Sequence, residues 1–177
     1  MANTLEIQTI KDSNQLTVIK LTGIFDGSGQ ETNTARIVAG SLSGALDANS
    51  KPMRSILSLS NTALPFYGLS VKRIEYHVNM PTSTTGFVRL AWQGNSGSNG
   101  TIAVLNGVGS IGGEQAETIT NPLSPVGGGG IALSTIGAAA GSSYTIILEL
   151  RKDNAHFDRG QFSDPAAFNY PPYGLNP

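Results

Sequence analysis

The clearest pattern in the chain is a run of alternating side chains near its C-terminal end, Ser143–Lys152. Even positions from Tyr144 to Leu150 are apolar, whereas the odd positions are polar or charged apart from Ile147. A period of two with aromatic and β-branched residues predicts a β-strand, because successive side chains of a strand point to opposite faces. Ile147 indicates that the second face is partly covered too, so we expect this strand to lie in the middle of a sheet.

The beginning of the chain predicts a β-hairpin. Leu5–Ile10 alternates, Asp12–Asn14 has the composition of a turn, and Leu16–Leu21 alternates again. Further strands are predicted at fairly even spacing, at Arg36–Ala39, Leu69–Val78, Phe87–Trp92, Ile102–Leu105 and Ile131–Ile136. A short apolar run does not distinguish a strand from a helical turn, so both remain open for Ile56–Leu59.

These elements predict an all-β fold. Apolar residues nowhere recur at helical spacing over ten or more positions, and the strands are separated by turns of Gly, Asn, Ser and Thr. Eight to ten short strands fit a jelly-roll-like antiparallel β-sandwich better than a seven-stranded immunoglobulin-like domain. We therefore predict a sandwich domain over residues 1–152 and an extended C-terminal arm over residues 153–177.

Composition removes several classes of function. Charged residues make up 13% of the chain, against about 25% in ordinary soluble domains, and the formal net charge is −1. Such a chain has no basic field to attract nucleic acid or an anionic membrane surface. It contains no cysteine, which removes disulfides and thiolate sites. The first residues carry no secretory signal and no apolar run approaches the length of a membrane span, so we expect synthesis in a cytoplasm and no membrane partner.

The most suggestive motif for a cofactor is Gly107–Gly112, which reads G-x-G-x-x-G. A dinucleotide fingerprint needs a helix directly afterwards, whose N-terminal amides hold the pyrophosphate. Here Glu114–Thr120 and then Pro122 follow, without the pattern of a βαβ unit. We interpret the motif as a glycine loop. The four glycines of 127–130 are interpreted in the same way, as an exposed loop.

Other candidate chemistry is incomplete. His77 lies on the less apolar face of a strand, and His156 with Asp158 would be half of a metal or acid–base site that no third group completes. Asp26–Glu31 lacks the spacing of a calcium loop and predicts a β-turn, and Asn99–Thr101 is a glycosylation sequon without a secretory route. We predict no catalytic, cofactor-binding or metal-binding residue, and hence no enzyme.

The segment after Lys152 has a different composition from the sandwich. It holds four of the chain's nine prolines and five aromatic residues, Phe157, Phe162, Phe168, Tyr170 and Tyr173. Prolines keep a segment extended, and spaced aromatic residues can anchor it in pockets of a partner. Two interpretations remain open: the arm binds a neighbouring subunit, or it covers an edge or face of its own sandwich.

Three stretches together resemble small virion structural proteins of tailed bacteriophages, including cyanophages. These are the opening Ala2–Ile10, the strand Val18–Gly23 with Asp26–Gly29 after it, and the strand Ser143–Lys152; Leu90-Ala-Trp92 before a polar loop is similar too. The resemblance implies a capsid cement or decoration protein on the outer surface of the virion, made in the host cytoplasm. It also implies a β-sandwich that forms a homotrimer and clamps adjacent major capsid protein subunits.

On this interpretation, the clamping elements are the aromatic residues of the C-terminal arm and the N-terminal strand with Leu5 and Ile7. Extended termini would add many modest contacts across capsomer boundaries. One alternative is an adaptor of the neck, tail or tail fibre, with the same fold and few copies. The second is a carbohydrate-binding β-sandwich, for which Trp92 and the loop 93–100 would supply the platform.

Overall fold

A computed structural model describes residues 3–45, 68–81, 85–93, 100–113, 118–121 and 130–152. The described part is nearly all β, as predicted. Its strands are β1 (Thr4–Asp12), β2 (Leu16–Ile24), β3 (Thr34–Ile37), β4 (Leu69–Asn79), β5 (Phe87–Trp92), β6 (Gly100–Leu105), β7 (Gly107–Gly112), β8 (Ile119–Thr120), β9 (Ile131–Ile136) and β10 (Ser143–Lys152). Three residues, Ala39–Ser41, form a 3₁₀ turn.

The strands form two antiparallel sheets. The larger sheet has the order β1-β2-β10-β4-β7, with β8 also paired to β4, and the smaller sheet has the order β3-β9-β5-β6. Strand β10 therefore lies in the middle of the larger sheet, as its two-sided pattern predicted, and Ile147 on its outer face is half-buried. The chain crosses repeatedly between the sheets. This connectivity is compatible with the jelly-roll arrangement, which stays a prediction.

One hydrophobic core joins the two sheets. Alternate residues of β2, β4 and β10 in the larger sheet meet those of β5, β6 and β9 in the smaller one. The fully buried members of greatest volume include Phe25, Leu21, Ile74, Leu90, Trp92, Leu105, Ile131, Leu133 and Ile146. Burial of such side chains contributes about 1.5–3 kcal/mol each, so the period-two pattern is the main source of the fold's stability.

The N-terminal hairpin is confirmed. Strand β1 pairs antiparallel with β2, and Ser13 closes the turn because its amide and hydroxyl both donate to the carbonyl of Leu16, at 2.9 Å each. The strand predicted at Arg36–Ala39 lies two residues earlier, at Thr34–Ile37. Strand β3 already ends at Ile37, and the backbone from Ala39 turns as a 3₁₀ helix instead of continuing the ladder.

The prediction of a glycine loop at Gly107–Gly112 was wrong, since these residues form strand β7 against β4. Gly109 lies opposite Tyr76, and a Cβ at Gly109 would come within 2.6 Å of the tyrosine hydroxyl oxygen. At Gly112, φ is +84° and a Cβ would lie 2.3 Å from the carbonyl oxygen of Lys72. The glycines therefore make room for neighbours in the sheet, which a pattern search for loops does not detect.

Several predictions fall outside the described residues. They concern Ile56–Leu59, Asn99 of the sequon, most of the glycine run 127–130, and the C-terminal arm with His156 and its five aromatic residues, Phe157, Phe162, Phe168, Tyr170 and Tyr173. The division of the chain at residue 152 stays a prediction as well.

Candidate interaction surface at the edge of strand β1

Strand β1 forms one edge of the larger sheet, and all nine of its residues are exposed. Leu5 lies opposite Gly23, and Ile7 lies opposite Leu21. Leu21 is completely buried, whereas Leu5 and Ile7 are 36% and 45% exposed. Because directly opposite residues of an antiparallel pair share a face, Leu5 and Ile7 continue the core-facing side of the sheet past the core. They form an apolar ledge beside the sandwich.

The ledge is exposed because the core ends at β2. The core-facing residues Ile19 and Leu21 of β2 belong to the core cluster, but no residue of β1 does. Covering the remaining exposed surface of Leu5 or Ile7 would stabilise a complex by about 1 kcal/mol per side chain. Leu5 and Ile7, which are the predicted partner-binding residues within the described ranges, are therefore side by side, accessible and apolar.

The free side of β1 also offers backbone hydrogen-bonding groups. An edge strand pairs on one side only, so half of its N–H and C=O groups point away from the sheet. Strand β1 contains neither proline nor glycine, and its pairing with β2 is regular from Thr4 to Thr9. The register shifts between Thr9 and Lys11, which leaves Ile10 as a bulged residue that is 54% exposed. The stretch before the bulge can pair with another strand.

Polar residues lie on the outer face of β1. Glu6 lies opposite Thr22, Gln8 opposite Lys20, and Lys11 opposite Val18. The ion pairs among the described residues are Arg36–Glu31, Lys72–Glu149, Arg73–Glu75 and Lys152–Asp12. In the part of the chain that is described, the charges of Glu6 and Lys11 are thus not engaged with each other or with a neighbour.

The C-terminal end of β1 is held by a buried ion pair. The Lys152 side chain has no exposed surface, and its Nζ donates to Asp12 Oδ1 at 2.5 Å and to the carbonyl oxygens of Ser13 and Ser43 at 2.7 Å each. Thr17 Oγ1 also donates to Asp12 Oδ1, at 2.5 Å. This polar cluster joins the end of β10 to the β1–β2 turn.

The pKa values of this ion pair are both shifted downwards. Burial by itself would raise the pKa of Asp12, but hydrogen bonds from Lys152, Thr17 and the Ser43 amide outweigh it and hold that pKa below its usual value. For Lys152 burial is the larger effect and lowers its pKa despite the Asp12 carboxylate. The Asp12 carboxylate is therefore charged at neutral pH, and its contact with Lys152 holds β1 in position from one end.

The N-terminal end of β1 is held by Asn3. Its Nδ2 donates to the carbonyl oxygen of Gly29 at 3.0 Å, and its Oδ1 accepts from the Asp26 amide at 3.1 Å. The predicted turn at Asp26 is present, since Asp26 Oδ1 accepts from the Ser28 amide at 2.8 Å. Strand β1 is thus tied to the sandwich at both ends while its outer edge stays open.

A second polar cluster lies between the sheets. Glu31, which precedes β3, is 5% exposed; its Oε2 accepts from the Tyr144 hydroxyl at 2.7 Å, and its Oε1 accepts from Arg36 Nε at 2.7 Å. Its amide donates to Thr135 Oγ1 at 2.9 Å. Burial and the Glu31 carboxylate raise the pKa of Tyr144. The phenol therefore stays protonated and links β10 to the smaller sheet.

Neither polar cluster was predicted from the sequence. Lys152 continues the even-numbered, apolar face of β10, so the period of two was a signal that its side chain points into the core. Tyr144 on that same face needs a hydrogen-bond partner for its hydroxyl, but no local pattern identifies Glu31, which is 113 residues away.

The remaining candidates do not assemble into a site. His77 is exposed on the outer face of β4, and the described ranges contain no group of three or more His, Asp or Glu side chains able to hold a metal ion. Trp92, the proposed sugar platform, is completely buried in the core. That interpretation of Trp92 was wrong, since a sugar ring cannot stack on a side chain that has no exposed surface.

Comparison with known proteins gave no match to a family model, to a curated protein or to a solved structure. Within the described ranges, no helix has the length and hydropathy needed to cross a membrane. The residues of the chain itself must therefore support any proposal about its function.

Proposed function

We propose that this chain is a structural protein of a bacteriophage virion, a capsid cement or decoration protein that clamps adjacent major capsid subunits and stabilises the head. The observation that carries the proposal is the free edge of β1, with Leu5 and Ile7 exposed on it. The resemblance to small phage virion proteins, drawn from the sequence, supplies the setting. Attachment to the head would combine this edge with the C-terminal arm.

The physical argument is that a cement protein must be rigid and must present contacts at its periphery. Strand β1 is held by Asn3 at one end and by the Asp12–Lys152 ion pair at the other, so little conformational entropy is lost when its edge is covered. Each contact is modest. Repetition over a lattice makes the contacts multivalent, and many weak contacts can together resist pressure from a packaged genome.

The virion setting is tested by the copy number of the chain in purified particles. Particles from the source culture are separated by gel, and the chain is quantified by mass spectrometry against the major capsid protein. A copy number comparable with that of the capsid subunit is expected. Its absence from particles would refute the virion proposal, whereas about a dozen copies would favour the neck or tail adaptor.

The role of the β1 edge is tested by rebinding the purified chain to particles that lack it. In the variant Leu5→Ser/Ile7→Ser we expect binding to fall at least tenfold without loss of the fold, because both side chains are exposed. The matched control is Val104→Ser, an exposed apolar residue on β6 in the other sheet. If the double variant binds particles as well as the control does, β1 is not part of the attachment surface.

A carbohydrate-binding module is the second alternative, and the described aromatic residues argue against it. Phe25, Trp92 and Tyr144 are buried, and Tyr76 and Phe87 are half-buried. The three buried rings cannot stack on a sugar, and the other two are only partly exposed. If the chain binds glycans on an array, and the variant Leu5→Ser/Ile7→Ser binds them equally well, the carbohydrate-binding module becomes the preferred function over the capsid protein.

A further inference from the structure

We infer that the free edge of β1 binds the β1 strand of a second copy of this chain, antiparallel, about a two-fold axis at Gln8. The inference rests on the part of the proposed function that makes β1 a contact surface, and not on the virion setting. It assigns the backbone edge of β1 to a second copy of the chain, and it leaves the capsid contact of the proposed function to the exposed faces of Leu5 and Ile7 beside that edge and to the C-terminal arm. A two-fold contact differs from the trimer that the resemblance implies, and it could join two trimers.

The geometry restricts how two identical strands can meet. Antiparallel pairing across a two-fold axis places opposite residues on the same face of the joined sheet. Before the bulge, the core-facing residues of β1 are Leu5, Ile7 and Thr9, which lie opposite buried residues or Gly23 of β2. After the bulge Asp12 takes that face and Lys11 the outer one. Any register of the pair must respect this change at Ile10.

The charges on the outer face select one register. With Gln8 opposite Gln8 of the second copy, and with each bulge retained, Glu6 lies opposite Lys11 of the second copy and Lys11 opposite its Glu6. The unengaged charges of both strands are then neutralised twice, across the axis. With the axis at Ile7 instead, Lys11 faces Thr4 and Glu6 faces Gln8, and neither charge has an opposite partner.

The Ile7 part of the apolar ledge is consistent with the same register, in which Leu5 lies opposite Asp12 of the second copy. On the core-facing side Ile7 lies opposite Thr9 of the second copy, and the two Ile7 side chains are diagonal neighbours across the axis. Diagonal neighbours on one face of a sheet are close enough for branched side chains to touch. The outward-pointing N–H and C=O groups of Thr4–Thr9 gain hydrogen-bond partners as well. The contact therefore covers both the exposed apolar side chains and the unpaired backbone groups of β1.

A cysteine substitution tests the register directly, because the chain contains no cysteine of its own. In the full-length variant Gln8→Cys, the two thiols lie opposite each other across the axis, within the Cβ separation that a disulfide can adopt after small adjustments. Mild oxidation should convert most of the protein to a covalent dimer. In the control Glu6→Cys, the thiols are separated by about four residues, or roughly 13 Å, and should not cross-link.

Charge reversal tests the complementarity independently. Glu6→Lys and Lys11→Glu should each weaken dimerisation at least fivefold in sedimentation equilibrium, because like charges then face each other twice. The combined variant Glu6→Lys/Lys11→Glu should restore it to within about twofold. Restoration by the double variant is a result that general destabilisation of the fold does not produce.

Other outcomes either overturn the inference or separate it from the virion role. A chain that stays monomeric at about 100 μM, with Gln8→Cys remaining monomeric on oxidation, has no such contact. If that monomer protects its β1 amides from hydrogen exchange, another segment of the same chain covers the edge. A dimer that cross-links through Glu6→Cys and not Gln8→Cys has a different register. If a Gln8-linked dimer forms but the chain is absent from particles, this inference stands and the virion role is refuted. If the chain binds particles but forms no such dimer, the virion role stands and this inference is refuted.

Discussion

The two edges of the larger sheet differ sharply. Strand β1 has nine residues, regular pairing up to Thr9 and no glycine, and it presents Leu5 and Ile7 to solvent. Strand β7 has six residues, three of them glycine, with positive φ at Gly107 and Gly112 at its two ends. Left-handed backbone at both ends limits further pairing, so β7 is a closed edge and β1 an open one.

The smaller sheet resembles the closed edge. Its outer strands, β3 and β6, have four and six residues, and the pairing of each contains a register shift. Natural sheets prevent edge-to-edge association with short strands, bulges, proline and charged side chains. Four of the five outer strands in the described part are short or irregular, including β8 with its two residues, whereas β1 is long and has a bulge only near its end. We therefore expect the open edge of β1 to be the place where the protein contacts another chain.

The largest effect is expected at the closed edge. Gly112→Ala should lower the free energy of unfolding by about 3 kcal/mol, because it forces an L-residue into φ of +84° and drives a Cβ against the Lys72 carbonyl oxygen. Urea denaturation gives this value. Gly29→Ala, where a Cβ meets nothing within 4 Å, is the control and should change stability by less than about 0.5 kcal/mol. Similar losses in both variants would refute this explanation of β7.

The anchor of the open edge should give the next largest effect. Asp12→Asn leaves the buried Lys152 ammonium without its carboxylate and should destabilise the protein by about 2 kcal/mol at pH 7, less than for a fully buried pair because Asp12 is partly exposed. Denaturant unfolding measures it. Glu149→Gln, which breaks the more exposed ion pair with Lys72, should change stability by less than about 1 kcal/mol.

The same anchor predicts a pH dependence. The pKa of Asp12 is lower in the folded protein than the ordinary value of 3.8, because burial, which raises it, is outweighed by the hydrogen bonds from Lys152, Thr17 and Ser43. Its contribution to stability is therefore complete above that unfolded value and is lost as the pH falls through the folded one. The difference in stability between the wild type and Asp12→Asn should be constant from pH 5 to 7 and should shrink below pH 4. A difference that grows towards low pH would contradict the assignment.

A smaller effect, on association and not on folding, compares the two edges directly. Ile7→Lys should weaken self-association at least tenfold, since it places a charge at the centre of the apolar ledge, while the midpoint of unfolding of the monomer stays unchanged. Val108→Lys on β7 is the matched control, because Val108 is 76% exposed and should tolerate the charge without consequence. Sedimentation equilibrium measures both, and equal effects would show that the edges are equivalent.

The smallest effect concerns salt. Glu6 and Lys11 are exposed in the monomer, so their pairing across the two-fold axis is screened by ions. Raising the sodium chloride concentration from about 0.05 to 0.5 M should weaken the dimer by a few fold. Glu6→Gln/Lys11→Gln should dimerise more weakly and independently of salt. A dimer that strengthens with salt would instead depend on the apolar ledge alone.

The sequence predicted strands best where one face of the strand enters the core. Strands β5, β9 and β10 begin and end at the predicted residues, because burial of one face imposes the period of two on the side chains. It failed at β7, where the strand is held by a fit between Gly109 and Tyr76 and not by its own apolar side chains. It failed again at Trp92, which was considered as a sugar platform although its alternation with Val88 and Leu90 places it on the core face of β5.

By itself, then, the sequence determined the all-β class, the N-terminal hairpin and the central position of β10, because these follow from local alternation of side chains. It also identified Leu5 and Ile7, as partner-binding residues that the resemblance implies on an alternating strand. Only the tertiary structure decided that the core stops at β2 and leaves these two residues exposed on an open edge. The same holds for the ion pair between Asp12 and Lys152, since contacts across 140 residues depend on how the sheets pack and leave no local pattern.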